Sequence, residues 1–413
     1  MTRLTDATTA TDEPTWRAQQ RAAALEVFRA EGLPDPADEV WRYAPLDGFK
    51  VEDIDLAESG GLGAQETAIG GRNPAAIVTI RAGRVVDVAV LESVGGLTIT
   101  VGVGEAGPLG ELIGPDDAFA ALNLALTPGP LTIEVAKGSR IDGTVVLLVD
   151  CPSGASFPRT LVNVAEGASL TILEHTTGVD ATLVSSVSEF YVGDGATLRL
   201  ASVQTLGEDA WFVNRTRARI GRDGQFHQTV VGLGARYDRV RADAQLVGDG
   251  ASSALNTAHV GTGNEVHDLR TMQDHIGKRT TSRLHSKAAV SGSAQSIYSG
   301  LIRMKHGAKR ADARQVNNSL VLSDLASADA VPNLDIEEND VRCAHASTVG
   351  PVDPEQRWYL ESRGVPPEDA VQLIIEGFFA DVEDLVADSV LGSYLREAIG
   401  ELEAATGSAE IRS

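Results

Sequence analysis

The chain has 413 residues, is 43% hydrophobic but only 5% aromatic, holds 42 glycines and carries a formal charge of −23 from 58 acidic and 35 basic residues. Such a length exceeds one ordinary compact core and leaves two or three units or an elongated repeat, while the acidity argues against a nucleic-acid or acidic-membrane binder. Two cysteines, Cys151 and Cys343, cannot make a disulfide framework and point to a reducing compartment. With no apolar signal core in "MTRLTDATTATDEPTW" and no run of about 18 apolar residues, a cytoplasmic protein without a membrane span is expected.

Residues 1–14 are polar and read as a disordered tail. Thr15 to Glu31 places Trp16, Ala23, Val27 and Phe28 at roughly helical spacing, closed by Gly32 and Pro34, and opens a helical region over 15–74. Within it, "EVWRYAPLDGF" (39–49) supplies aromatic side chains able to pin a loop onto a core. From about Ala75 the character changes to short β-branched runs broken by glycine, such as "AAIVTIRAGRVVDVAV". Residues 108–126 read as a brief helical insertion.

The middle of the chain carries the fold signal. Gly138, Gly167, Gly195, Gly224 and Gly250 each lead a unit such as "EGASLTIL" or "DGATLRLA", at spacings of 29, 28, 29 and 26 by subtraction. One turn signal per 20–50 residues, with two strand-like runs in each period, indicates a solenoid. Alternation along the runs puts one set of side chains into a narrow core and the other into water. A β-sandwich is the competing reading. The drift-free glycine period favours a mainly β chain, a β-solenoid over 75–352 flanked by N-terminal and C-terminal helical regions.

Beyond Asp353 the pattern turns helical. Val371, Ile374, Ile375, Phe378, Val382, Leu385 and Val386 recur at three- and four-residue steps, and Leu373 and Phe379 fall off that stripe. The second apolar face is either core beneath a following helix or an exposed patch for a partner protein.

Six of the eight histidines lie between His259 and His345, but no spacing matches a zincin or a short Cys/His finger. From Arg270 to Arg314 ten Lys/Arg face two acids, Asp274 and Asp312, giving a basic zone that either coats a solvated face or meets an acidic partner or anion. "CAHAS" places Cys343 two residues before His345; on a strand both point to one face, so they can share a metal or sulfur species. Three readings stay open at this point: ordinary packing, a shared ligand pair completed by another chain, or a Cys343 nucleophile with His345 as its base. No Walker A, GxGxxG after a strand, HExxH or CxxC occurs, so the chain shows no sign of being an ATPase itself. A β-helix enzyme acting on polysaccharide needs clustered carboxylates flanked by aromatics, which this sequence lacks.

Four segments together resemble the SufB/SufD family of iron–sulfur cluster assembly scaffolds. They are "DHIGKRTTSRLHSKAAVSGSAQSIYSGLIRMKHGAKRADARQVNNSLVLSD", "PNLDIEENDVRCAHASTVG", "DPEQRWYLESRGV" and "EDAVQLIIEGFFADV", with "EVWRYAPL" resembling the family's N-terminal Trp-Arg-Tyr element. Within the family the chain is similar to the SufD branch. SufB-type chains carry a cysteine near Ser323-Asp324 and Glu-His-Glu in place of "CAHAS"; this sequence has neither. The resemblance implies a right-handed parallel β-helix between helical ends and a non-catalytic scaffold subunit. It implies a heterodimer with SufB, and a SufC ATPase bound through the C-terminal helical domain (353–413), for which Val371, Leu373, Ile374, Phe378, Phe379 and Val382 are candidates. It also implies a transient iron–sulfur cluster at the subunit interface, with none expected in the isolated chain; His345 is the candidate metal ligand and Cys343 a candidate companion. Ala346 departs from the glycine common there in SufD proteins. A SufB-like homodimer is the alternative, and an isolated chain could itself pair with a second copy.

Overall fold

In the computed structural model, residues 14–35, 37–46, 49–58, 74–90, 95–102, 109–178, 181–386 and 395–400 are described. The expected tail at 1–14, apart from Pro14, lies outside them, as do parts of the helical regions at both ends.

The glycine period corresponds to a parallel solenoid with two strands per turn. One sheet stacks, in order, Pro74–Arg81, Thr144–Asp150, Ser169–Gly178, Thr197–Leu206, Gln225–Gly234, Ser252–Gly261, Thr281–Val290, Asp312–Val321 and Arg342–Gly350. The second stacks Leu131–Val135, Arg159–Val164, Ala181–Val192, Trp211–Ile220, Tyr237–Leu246, Val266–His275, Gln295–Met304 and Ser327–Ile336. Every neighbouring pair along these runs is parallel and most are in unbroken register, which removes the sandwich reading, since sandwich sheets are antiparallel. At the start of the solenoid the strands Arg84–Val90 and Leu97–Val101 pair antiparallel with their sheets and finish that end.

The turns explain the repeat. Gly195 has φ 64°, a left-handed conformation that a side chain disfavours, and its N–H bonds the Arg222 carbonyl of the next turn at 2.7 Å. In the following unit the neighbouring Asp223 takes the positive φ instead of Gly224. Inward residues build one continuous core from Ala76 and Val145 through Ile172, Leu198, Phe226 and Leu255 to Leu284. Polar side chains stand among the inward positions as well, and in the last turns they include Thr257, Ser286, Gln315 and Asn317, all buried.

Both outer faces are partly covered. On the second sheet lie α1 (Thr15–Glu31) and α2 (Ala118–Leu126). Helix α2 is buried almost all round, as an element sandwiched between a helix and a sheet must be. Asp117 caps its first turn by accepting from the Ala120 N–H at 2.8 Å, and Arg21 of α1 donates to the Ala125 and Thr127 carbonyls at its far end. The region 15–74 is less helical than expected: past Gly32 the described residues show turns and short 3-10 stretches such as Val51–Asp53. Aromatic contacts hold this segment instead. Trp41 packs 5.4 Å from Phe119, under the Arg239 guanidinium, and Phe49 lies 4.4 Å from Trp211. The insertion is likewise helical only over 118–126, because residues 109–113 are tied to the solenoid through the buried Glu189 carboxylate.

On the first sheet lies α4 (Pro367–Val386), preceded by α3 (Pro354–Ser362). Gly364, at φ 90°, and Pro366 separate the two helices. Ile375, Phe379 and Val382 of α4 bury against Val203, Val231, Ala258 and Val260 of the sheet. Lys287 fixes the helix further by donating to the Phe378 carbonyl and the Asp381 carboxylate.

Candidate functional site at the open end of the solenoid

Cys343 and His345 sit on Arg342–Gly350, the last strand of the first sheet. Its register stacks Cys343 on Ala313, His345 on Gln315, Ser347 on Asn317 and Val349 on Ser319, all four of the lower residues being buried and inward-facing. The pair therefore shares the core-facing side of the strand, as their spacing predicts. No strand covers this turn among the described residues. Its interior is open, leaving His345 exposed, Val349 45% exposed and, on the facing edge strand Ser327–Ile336, Leu334 38% and Ile336 46% exposed. Two bare strand edges with exposed apolar side chains between them make a template for pairing with another chain.

Cys343 is half-buried and packs, with Val341, on Ile302, Met304, Ala308, Ala311 and Ala313. Burial, and secondarily the Asp312 carboxylate, push its thiol pKa up, so the thiolate needed by a nucleophile is disfavoured. Neither Cys343 nor His345 makes a side-chain hydrogen bond among the described residues, and no group of three or more His, Cys, Asp or Glu side chains able to hold a metal occurs among them. Two donors, one soft and one imidazole, stand at the mouth of the open end, a set too small to hold a metal by itself. Cys151 is fully buried near the other end of the solenoid, its thiol pushed up to about 12 by burial first and by Asp150 second.

The residues expected on the C-terminal helix divide between two faces. Phe379 and Val382 are buried against the sheet, which corrects their assignment to a partner-facing surface. The helix sets down the line Ile375, Phe379, Val382, at i, i+4 and i+7, because that line meets the small and branched side chains of the sheet. Val371 packs partly against the same cluster, and Leu385, expected on the buried stripe, is 55% exposed. Leu373 and Ile374 face the other way, and Phe378 lies between the two faces, packed partly against the same cluster. With Trp358, Tyr359 and Leu360 of α3 they line an apolar groove of about 1170 Å³. Trp358 is 69% exposed and Tyr359 54%, large values for aromatic side chains at the wall of one groove.

Part of the basic zone is absorbed into the fold: Arg270 pairs with Asp268, Arg303 with Asp274 and Lys287 with Asp381. Lys278, Arg279, Arg283, Lys309, Arg310 and Arg314 remain exposed. Of the clustered histidines, His285 and His306 are exposed, whereas His259 and His267 converge inside the solenoid on Asp238 from three different strands. His267 Nδ1 lies 3.1 Å from the Asp238 carboxylate, and the two rings are 5.5 Å apart. Asp238 and Glu265 raise the His267 pKa to about 9 against the opposing burial, while burial drops that of His259 to about 4. The spacing of these residues along the chain shows no sign of this trio. The signal that would have found it is the period itself: 238 and 267 occupy one register position in successive turns.

The model of the SUF system FeS cluster assembly SufBD core domain matches residues 147–378, more than half of the chain. SufD of Bacillus subtilis (strain 168) is 34% identical over 271 residues, which is 64% of this chain and 62% of the relative, so the chain spans less than two thirds of that protein. SufD of Escherichia coli (strain K12) is 27% identical over 409 residues, 94% of either chain. A SufBD-family protein of Mycobacterium tuberculosis (H37Rv) is 28% identical over 378 residues, 89% of this chain and 88% of the relative. The solenoid, the segment matched and the relatives all agree: the chain belongs to the SufB/SufD family of the SUF iron–sulfur cluster assembly system.

Proposed function

We propose that this chain is a SufD-type, non-catalytic scaffold subunit of the cytoplasm whose open solenoid end pairs with a SufB subunit. The nascent cluster is cargo held between the two, with His345 as a ligand from this side and Cys343 as its companion once iron displaces the thiol proton. The groove between α3 and α4 takes the SufC ATPase, whose hydrolysis cycle rearranges the subunit interface. The observation that carries this reading is the uncapped last turn: two bare strand edges, exposed apolar side chains and an incomplete donor pair occur together at one end.

The test is co-purification of the tagged chain with SufB and SufC, with the mass read by light scattering. One copy of this chain, one SufB and two SufC are expected. His345→Ala should leave that mass unchanged and reduce the cluster formed on the complex by at least about ten-fold. Leu373→Asp, a charge on the groove wall, should release the ATPase copy bound to this chain while leaving the pairing with SufB. A chain that runs alone, or that forms only a dimer of itself and builds cluster there, would remove the heterodimer reading and favour the SufB-like homodimer.

A further inference from the structure

Gln315 lies in the strand beneath His345 and is 1% exposed. Both atoms of its side-chain amide, Oε1 and Nε2, are buried without a hydrogen-bond partner. Native interiors rarely tolerate an amide with neither atom engaged, so such a group asks for an explanation. Its register neighbour on the other side is Leu284, which offers nothing polar; His345 is its polar neighbour along the stack. The facing sheet leaves room for the amide by placing Gly300 opposite: a Cβ there would come within 2.6 Å of Gln315 Nε2. The Tyr298 hydroxyl near the same spot lies 3.4 Å from Thr271 Oγ1. One inward position along, Asn317 shows that an amide on this strand reaches the terminal strand, donating to Ser347 Oγ at 3.4 Å.

From this arrangement we infer that Gln315 is a positioning residue for His345: its carbonyl oxygen takes one ring N–H and aims the other ring nitrogen out of the open end. A neutral imidazole has two tautomers, and a metal can use only the nitrogen that lacks the proton. Histidine ligands generally have their second nitrogen held by an oxygen acceptor, which fixes tautomer and ring direction together. Neighbouring strands lie about 4.8 Å apart, a separation that a glutamine side chain spans by rotating its terminal amide. The functional half of this inference rests on His345 being a ligand of the shared site; the hydrogen bond itself does not.

The test separates the two. In the full-length chain with 15N-labelled histidine, at mildly alkaline pH, the ring nitrogens of His345 are assigned by their loss in His345→Ala. The expected wild-type spectrum shows one nitrogen fully protonated and the other fully bare. Gln315→Met, which keeps length and core volume but has no acceptor oxygen, should merge these toward the averaged pair of a free imidazole. Gln315→Glu, which keeps the acceptor, should restore the single tautomer. In the assembled complex the methionine variant should form cluster at least about ten-fold more slowly, with the glutamate variant recovering most of the rate. An averaged pair already in the wild type, or a spectrum that Gln315→Met leaves unchanged, overturns the inference. Should the methionine variant fail to fold, the glutamate variant decides alone: a His345 tautomer differing from wild type overturns it. Should His345→Ala build cluster normally while the tautomer result holds, the ligand reading of His345 fails and the hydrogen bond stands.

Discussion

Replacing Glu189 with alanine is expected to cost about 3–5 kcal/mol of stability, the range for removing one partner of a buried ion pair. Glu189 and Arg159 both have side chains 0% exposed, joined at 2.7 Å. The carboxylate also accepts from the Gly110, Leu112 and Ile113 backbone N–H groups at 2.9, 2.9 and 3.3 Å. Arg159 in turn donates to the Ile113 carbonyl and to Asn123 of α2. Alanine at 189 therefore leaves a guanidinium buried without its counter-charge and three N–H groups without their acceptor. The measurement is the shift of the urea midpoint at constant slope. A loss below about 1 kcal/mol would contradict the enclosure of this pair. Paired replacement by apolar residues of similar size, Arg159→Met with Glu189→Leu, should recover most of the loss, because the main penalty comes from the stranded charge.

The second large effect is pH-dependent and has the opposite sign: Glu174→Gln should stabilise the protein above neutrality. Glu174 points into the solenoid core, facing Ser202, Gln204 and Asn214 across a small cavity, and burial raises its pKa to about 7 from the ordinary 4.5. Between those values the folded chain keeps the proton that the unfolded chain releases. Stability contributed by holding that proton is thus full below about pH 4.5, declines as pH rises, and is gone above about pH 7. The gap corresponds to about 3 kcal/mol. Glutamine has no proton to lose, so the variant should match the wild type near pH 4.5 and exceed it by up to that amount near pH 8. Equal melting temperatures for the two proteins at both pH values would place Glu174 in water rather than in the core.

The architecture was legible because the glycine period is a direct consequence of stacking: each turn of a solenoid meets the same left-handed corner, as at Gly167 and Gly195. The shared orientation of Cys343 and His345 was legible for the same kind of reason, since alternation on a strand is fixed by the pleat. Two things were not. Helix α4 has apolar residues along two lines, and only the shape of the sheet beneath decides that Phe379 is buried while Leu373 is free. The open end depends on which strand comes last. That is a property of the stack, and no residue in "CAHAS" encodes it. Likewise the contact of His267 with Asp238 needs the turn length to be known before the residues can be matched.

The partly polar interior of the last turns has a further consequence for motion. A stack of turns loses stability from its ends inward, because a terminal turn has one neighbour where an interior turn has two. Here the turn beneath the terminal one is also partly polar inside: Gln315, Asn317 and Ser319 stand next to Leu284, Ser286 and Ala288 of the turn before. Amide hydrogen exchange should therefore quicken progressively from Ser252 toward Gly350, in steps that follow the turns. Binding at the open end supplies the missing neighbour and should slow exchange most where it was fastest. The segment carrying Cys343 and His345 is thus the part of the solenoid whose fraying a docking chain arrests, so its donors are held still chiefly while a second protein is in place.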